Sequence, residues 1–426
     1  MGRNTVRALH RRLLCAWLRY GWLLVLLGLP RLAAAQSLGQ AELRMGEPAP
    51  RGQQWSPLRE LAKLEYPGLW EYNWGDSPRD ALGRLVYSIP ETPTRDWQPL
   101  GRYELPKGRN GRRWLWLRSE IPAWASTLKD PVLQMPHLDQ EFQVFVEGKL
   151  VYEWGDFSTD KPSYLGYRGH IVRLPPGCGG KRLTLRIYSD HVNIGPAGPM
   201  RFGDHGEILV NLFKTDLPRL IVGGLLFLLA TMGFALFSFR REEKVFLTYG
   251  FLALSGGIYI LAQAQVRLFL FDHPLLLTHI ELWSLQITML ALCHFVESMF
   301  GSGPLRILYY LRQLQWAYLF GSALAVALGL VPVLKTLLPV QLMLFGDAAL
   351  SVALPLYYSF RGNIEARIFA TGFLGAGAIA VYDVLVALGV LSRTQPKLGH
   401  IGYALFFVTL GVILARRVLR AHQRLQ

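Results

Sequence analysis

The spacing of hydrophobic positions changes once along the chain, near Leu217. Upstream of it, short stretches alternate apolar and polar residues with period two, the pattern of strands with one dry face and one wet face. Leu183, Leu185 and Ile187 alternate with Thr184, Arg186 and Tyr188, and Phe142, Val144 and Val146 form a similar row. Glu147-Gly148 supplies a turn before Leu150, Tyr152 and Trp154 resume the alternation, so this stretch predicts a hairpin. Further strands are predicted at 114–121, 132–135 and 170–174, separated by Pro/Gly loops such as 175–180. No helix of convincing length interrupts them, which predicts an all-β jelly-roll or β-sandwich domain.

Downstream, long apolar runs predict spans at 217–239, 245–264, 275–299, 308–330, 337–359, 368–391 and 399–416. Each is near the roughly 20 residues a bilayer requires, and together they predict an all-α seven-helix transmembrane bundle. A hydrophobic fraction of 51% and a mean hydropathy of +0.23 agree with a membrane protein. The expected organisation is a signal peptide over 1–35, an exported β-domain over 36–213, the helical domain over 214–418 and a short tail over 419–426.

The signal peptide is expected from five arginines without an acid in residues 1–21, a short apolar run at 22–29 and Ala33-Ala34-Ala35. An exported N-terminus and an odd number of spans put the C-terminus in the cytoplasm, and basic residues test this. Loops expected inside carry Arg240, Arg241, Lys244, Arg306, Arg312, Arg361 and Arg367, and the tail is arginine-rich. Loops expected outside carry only Arg267, Lys335, Arg393 and Lys397. Orientation therefore accounts for much of the net charge of +15, and nucleic acid is not an expected partner. The expected location is the bacterial inner membrane, multi-pass, with the β-domain in the periplasm. Of three cysteines only Cys178 reaches the oxidising side, which excludes an internal disulfide there.

Aromatic residues are dense in the β-domain, and a flat ring suits the apolar face of a sugar. Trp70, Trp74 and Trp154 are the candidate ligand-binding residues, although core filling is the ordinary use of such rings. Metal-ligand spacing is absent, since His137, His170, His191 and His205 are scattered. No metal, cofactor or catalytic residue is expected. Within the spans, Glu281, Asp347 and Asp383 are costly in lipid and should face the bundle interior. Counting at 1.5 Å per residue puts them roughly 9 to 14 Å deep in the outer half. They are the candidate intramembrane polar cluster, either lining a cavity or bonded to neighbouring helices. Gly372, Gly375 and Gly377 suit close helix contact on the sixth span.

The order of these features resembles the bacterial seven-transmembrane receptors with diverse intracellular signalling modules. GLWEYNWGD at 68–76 followed by WQPLGRYELP at 97–106 is similar to the start of that family's jelly-roll sensor domain. FQVFVEGKLVYEWGD at 142–156 resembles its galactose-binding-like hairpin. RFGDHGEI at 201–208 resembles the connection into the first span, and GNIEARIFATGF at 362–373, the most specific of the four, the loop that opens the sixth. The resemblance implies an extracytoplasmic small-molecule or carbohydrate ligand, a homodimer, and a cytoplasmic signalling output, often a diguanylate cyclase or histidine kinase. Only RVLRAHQRLQ follows Arg416, too short to fold as a catalytic domain. The output is therefore expected in a separate partner, or in a domain lost from this chain.

Two rival functions are weaker. Gly346-Asp347 and Tyr382-Asp383 resemble an intramembrane aspartyl protease pair, but Leu344 stands where that motif has glycine and the two elements are in reversed order. A transporter would show paired repeats and broken helices near the midplane, and neither is evident.

Overall fold

In a pleated ribbon each successive side chain changes face, so every alternating row commits one set of residues to the core. Residues 70–423 are described by the computed structural model, apart from 91–95, 102–105, 136–137, 139, 158–163, 191–193, 196–199, 388–390 and 392–396. The expected signal peptide, the lead before residue 70 and the last three residues of the tail lie outside the described residues.

Among the described residues nine strands form: β1 (Trp70–Trp74), β2 (Gln98–Leu100), β3 (Trp114–Glu120), β4 (Pro131–Met135), β5 (Glu141–Val146), β6 (Lys149–Trp154), β7 (His170–Arg173), β8 (Arg182–Tyr188) and β9 (Arg201–Asp204). The predicted strands are all present, and β1, β2 and β9 join them. A six-stranded sheet of order β2-β1-β3-β8-β5-β6 and a three-stranded sheet of order β7-β4-β9 result. All pairings are antiparallel.

The β5–β6 turn is tight because Glu147 and Gly148 both take positive φ, 50° and 74°, the signature of a type I′ hairpin. Between the sheets lie Leu115, Leu117, Phe142, Val144, Leu185 and Ile187 from the larger, against Leu133, Met135, Val172 and Phe202 from the smaller. This is the β-sandwich that the alternation predicts. Cys178 is buried at its edge as a free thiol, and burial pushes its pKa up. Low accessibility and a disfavoured thiolate both oppose alkylation. Iodoacetamide at pH 8 is expected to leave the Cys178 peptide unmodified in native protein and to label it fully in denaturant, as read by peptide mass mapping.

β9 passes without a loop into the first of seven long helices: α1 (His205–Phe239), α2 (Lys244–Ala262), α3 (Pro274–Phe300), α4 (Ile307–Ala327), α5 (Leu337–Phe360), α6 (Ile364–Ala387) and α7 (Gly399–Gln423). The seven match the predicted spans in number and order, but α1 begins at His205, well before its apolar run. Six are long and apolar enough to cross a membrane. α4 is long enough, but Arg312, Gln313 and Gln315 dilute it.

Neighbouring helices pack in sequence, α1 on α2, α2 on α3, α5 on α6 and α6 on α7, and α7 returns to touch α1 and α2. A Cβ on Gly372 would collide with Thr409 of α7, and one on Gly375 would meet Leu405 at 3.2 Å. Those two glycines therefore serve the close contact expected of them, whereas Gly377 faces open space. Phe295, Phe369, Phe406 and Phe407 fill the centre where α3, α6 and α7 meet.

Candidate functional site

If Leu115, Leu117, Leu185 and Ile187 face the core, their neighbours Trp114, Trp116, Arg186 and Tyr188 must face outward. Register places Trp116 beside Arg186 and Arg186 beside Gln143. The outer face of the larger sheet thus carries rings and charges instead of a plain wet surface. At one end Trp97, Trp116 and Phe145 form a small second core, capped by Leu85 and Tyr87. At the other end the face stays open as a cleft of about 700 Å³, within the range of small-molecule sites.

Arg186 is the centre of this cleft. Its Nε and Nη2 donate to the two carboxylate oxygens of Asp76 at 3.0 and 2.7 Å, and its Nη1 donates to Gln143 Oε1 at 3.1 Å. Its guanidinium lies 4.1 Å from the Trp114 ring and 5.3 Å from that of Phe157. The paired charge and stacked plane fix the side chain, so the floor of the cleft is preorganised.

Of the tryptophans singled out above, Trp70 and Trp74 each retain 9% exposure and point into the sandwich core. Trp154 is half-buried at the end of β6, beneath Arg168 at 5.4 Å and beside His170 at 5.0 Å. The three do not share one surface. His170 accepts or donates at Nδ1 with the Tyr152 hydroxyl, 2.9 Å away, and burial pushes the Tyr152 phenol above its ordinary pKa.

Between β6 and β7 the chain reaches the helices. Tyr167 N–H donates to Thr278 Oγ1 at 2.8 Å, Gly169 N–H donates to Gln265 Oε1 at 3.0 Å, and Arg168 pairs with Asp272 at 2.5 Å. Gly166 holds φ +97°, and a Cβ there would lie about 2.5 Å from the Pro274–Leu275 peptide. The ion pair is exposed at Asp272, 71%, so it contributes about 0.2 to 1 kcal/mol. Register comes instead from the two backbone donors, about 1 kcal/mol each, and from the contact that only glycine permits.

The three intramembrane carboxylates have separate partners. Glu281 meets Arg267 at 3.4 Å. Asp347 accepts from Gln315 Nε2 at 2.6 Å, joining α5 to α4. Asp383 accepts the N–H groups of Leu398 and Gly399, both at 2.7 Å. It thereby caps the start of α7 from the end of α6, where unpaired donors and the helix dipole favour an anion. A fourth, Asp216, is fully buried in α1, binds Arg219 at 2.8 Å and accepts the Val266 N–H at 2.9 Å.

At the far end of the bundle, Asn363 accepts the N–H groups of Glu365 and Ala366 at 3.0 and 3.2 Å and so starts α6. Glu365, in the first turn, holds Arg417 at 2.9 Å and Arg420 at 3.0 Å. Arg417 also lies 3.8 Å from Glu243. One carboxylate on α6 therefore clamps two arginines on the last turns of α7.

Residues 217–417 match the family model of 7TM diverse intracellular signalling. The helical bundle belongs to this family. It is a family of transmembrane sensory receptors, and the chain is a membrane protein with a β-sandwich before those helices. The motif GNIEARIFATGF now has a physical content in this 7TM signalling domain: Asn363 caps, Glu365 clamps, and Phe369 and Phe373 join the aromatic centre. No curated protein matches the chain.

Solved structures similar to the sandwich include a glycosyl hydrolase family 2 member from Bacteroides cellulosilyticus, at 13% identity over 33% of this chain and 20% of that one, TM-score 0.24. A β-glucuronidase from Faecalibacterium prausnitzii is 18% identical over 34% of this chain and 22% of that one, TM-score 0.21. The chain spans about a fifth of the length of these enzymes.

Sequence reading overlooked Arg186, Asp76, Arg168 and Glu365. For Arg186 a signal was present: the parity that sends Leu185 inward sends Arg186 and Trp114 outward together. For Arg168 and Glu365, whose partners lie 104 and 52 positions away, local pattern holds no signal.

Proposed function

We propose that the chain is a signal receptor whose β-sandwich lies on the extracytoplasmic side, senses a small-molecule or carbohydrate ligand there, and moves α7 at the cytoplasmic end. A separate cytoplasmic signalling protein, met by a homodimer of this chain, reads that movement. The observation that carries this reading is the loop ending at Gly169, whose backbone N–H groups donate to Thr278 of α3 and to Gln265 of the α2–α3 connection. A sandwich that merely sat beside the helices would not require Gly166 against the Pro274–Leu275 peptide. Orientation is supported by the arginines that gather at the Glu365 end of the bundle.

Coupling demands that ligand bind one arrangement of the helices better than another. The test uses Lys149→Cys and Leu419→Cys, both at exposed positions. In intact cells with a permeabilised outer membrane, a membrane-impermeant maleimide is expected to label Lys149→Cys, and to reach Leu419→Cys only after lysis. In the same membranes, D-galacturonate, benzoate and their neutral counterparts are added and disulfide formation between two Leu419→Cys copies is timed. A rate change of several-fold with at least one compound supports the receptor. Unchanged rates with compounds that bind the sandwich, or accumulation of a labelled compound in proteoliposomes, overturn it in favour of a transporter.

A further inference from the structure

The cleft on the outer sheet face has polarity left over, and its sign is informative. Three guanidinium groups, Arg79, Arg113 and Arg186, and two carboxylates, Asp76 and Glu141, line it. Asp76 is engaged by both forks of Arg186. Glu141 is 3% exposed and has interactions of its own. On the cationic side, Arg79 donates once, to the Gly83 carbonyl at 2.9 Å. Arg113 is exposed at the rim, and its side chain has no hydrogen bond or ion pair among the described residues. Beside these two cations, neither of them in an ion pair among the described residues, stand the rings of Trp114, Tyr188 and Phe157.

We propose that this cleft binds a small organic anion with one carboxylate and one flat apolar face, Arg113 taking the carboxylate and the aromatic wall taking the ring. A guanidinium fork matches a carboxylate in plane and spacing. A ring placed against Trp114 or Tyr188 removes apolar surface from water without ordering a long side chain. The pairing of Arg186 with Asp76 makes the floor neutral, so the attraction comes from the rim. A single carboxylate suits this rim, whereas Glu141 sets a like charge near any second anionic group. The assignment rests on the receptor reading for its biological use, but not for its chemistry.

The experiment is calorimetric titration of the full chain in nanodiscs with D-galacturonate and with benzoate, each against its neutral counterpart, D-galactose and benzyl alcohol. At least one anion is expected to bind 10-fold or more tightly than its neutral counterpart, and more weakly as salt rises. Arg113→Gln, a rim substitution that removes no hydrogen bond or ion pair among the described residues, is expected to cost that anion about 10-fold in Kd, and Arg79→Gln less. Trp114→Ala reports on the ring, and Lys149→Gln, outside the cleft lining, is the control for nonspecific charge. Binding of neither anion to folded protein overturns the proposal, as does equal binding of the neutral compounds or an unchanged Kd in Arg113→Gln. Anion binding that depends on Arg113 but leaves Leu419→Cys cross-linking unaltered upholds the site and removes the receptor reading. Cross-linking that responds to a compound whose affinity ignores Arg113 does the reverse.

Discussion

Gly166→Val is expected to separate ligand binding from movement of α7. Valine at φ +97° costs about 1 to 3 kcal/mol in backbone strain alone, and its Cβ would occupy the space of the Pro274–Leu275 peptide. The loop must lift, and with it go the hydrogen bonds from Tyr167 to Thr278 and from Gly169 to Gln265. A loss of 1.5 to 3 kcal/mol corresponds to about 10- to 100-fold in the docked population. Amide exchange at Tyr167 and Gly169 should quicken by that factor, and Leu419→Cys cross-linking should cease to respond to ligand. Binding in the cleft should be unchanged, since Gly166 is outside its lining. Arg168→Ala is the contrast: it removes an exposed ion pair and should shift exchange no more than about 5-fold. An unchanged exchange rate in Gly166→Val would show that the dock carries no energy.

Glu365→Ala should free the end of α7. The carboxylate is 9% exposed and holds two arginines whose own exposures are 22% and 47%. Hydrogen bonds between charged groups contribute about 1.5 to 3 kcal/mol when partly shielded. The arginines can still reach water after the loss, so the lower part of that range is expected, about 10-fold in the clamped population. Spin labels at Leu419 and Phe239 should show a broadened distance distribution, and ligand-independent cross-linking should rise. Glu243→Ala removes a contact at 3.8 Å from a carboxylate 45% exposed, and should leave the distribution narrow. A distribution in Glu365→Ala as narrow as that of the native chain would remove the clamp from consideration.

The sandwich and the seven helices were legible in the sequence because both rest on periodicity, which is local. Leu183, Leu185 and Ile187 announce a buried row whatever pairs with it, and an apolar run of twenty residues has few other uses. β1 and β2 were less legible. Trp70, Tyr72 and Trp74 do alternate, and aromatic density there left core filling and a binding platform both open; pairing of Tyr72 and Trp74 with Leu117 and Leu115 of β3 turns the row inward.

The carboxylates show a similar gap. Depth along a span indicated that Glu281, Asp347 and Asp383 needed partners, and each has one, but which partner depends on helix order and rotation. Asp383 is used as a cap for α7, a role visible only once the end of α6 is known to meet Leu398 and Gly399. The start of α1 lies ahead of the predicted span for a different reason. Residues 205–216 are polar enough to resemble a loop, yet they are helical because Ile208 and Leu212 bury one side.

That early start gives the strand-to-helix junction a mechanical meaning. A helix of 35 residues is about 52 Å long at 1.5 Å per residue, against a hydrocarbon core of about 30 Å. The surplus stands on the sandwich side as a rigid shaft, and the chain from Asp204 to His205 has no joint at which to slip. Asp204 accepts the N–H groups of Lys129 and Asp130, bolting the shaft to the sandwich. A twist of the three-stranded sheet is therefore expected to turn α1 with it. Pro218, which cannot donate to the carbonyl one turn earlier, leaves a gap in the helix ladder where the apolar run begins, the position at which such a rotation is expected to bend the shaft.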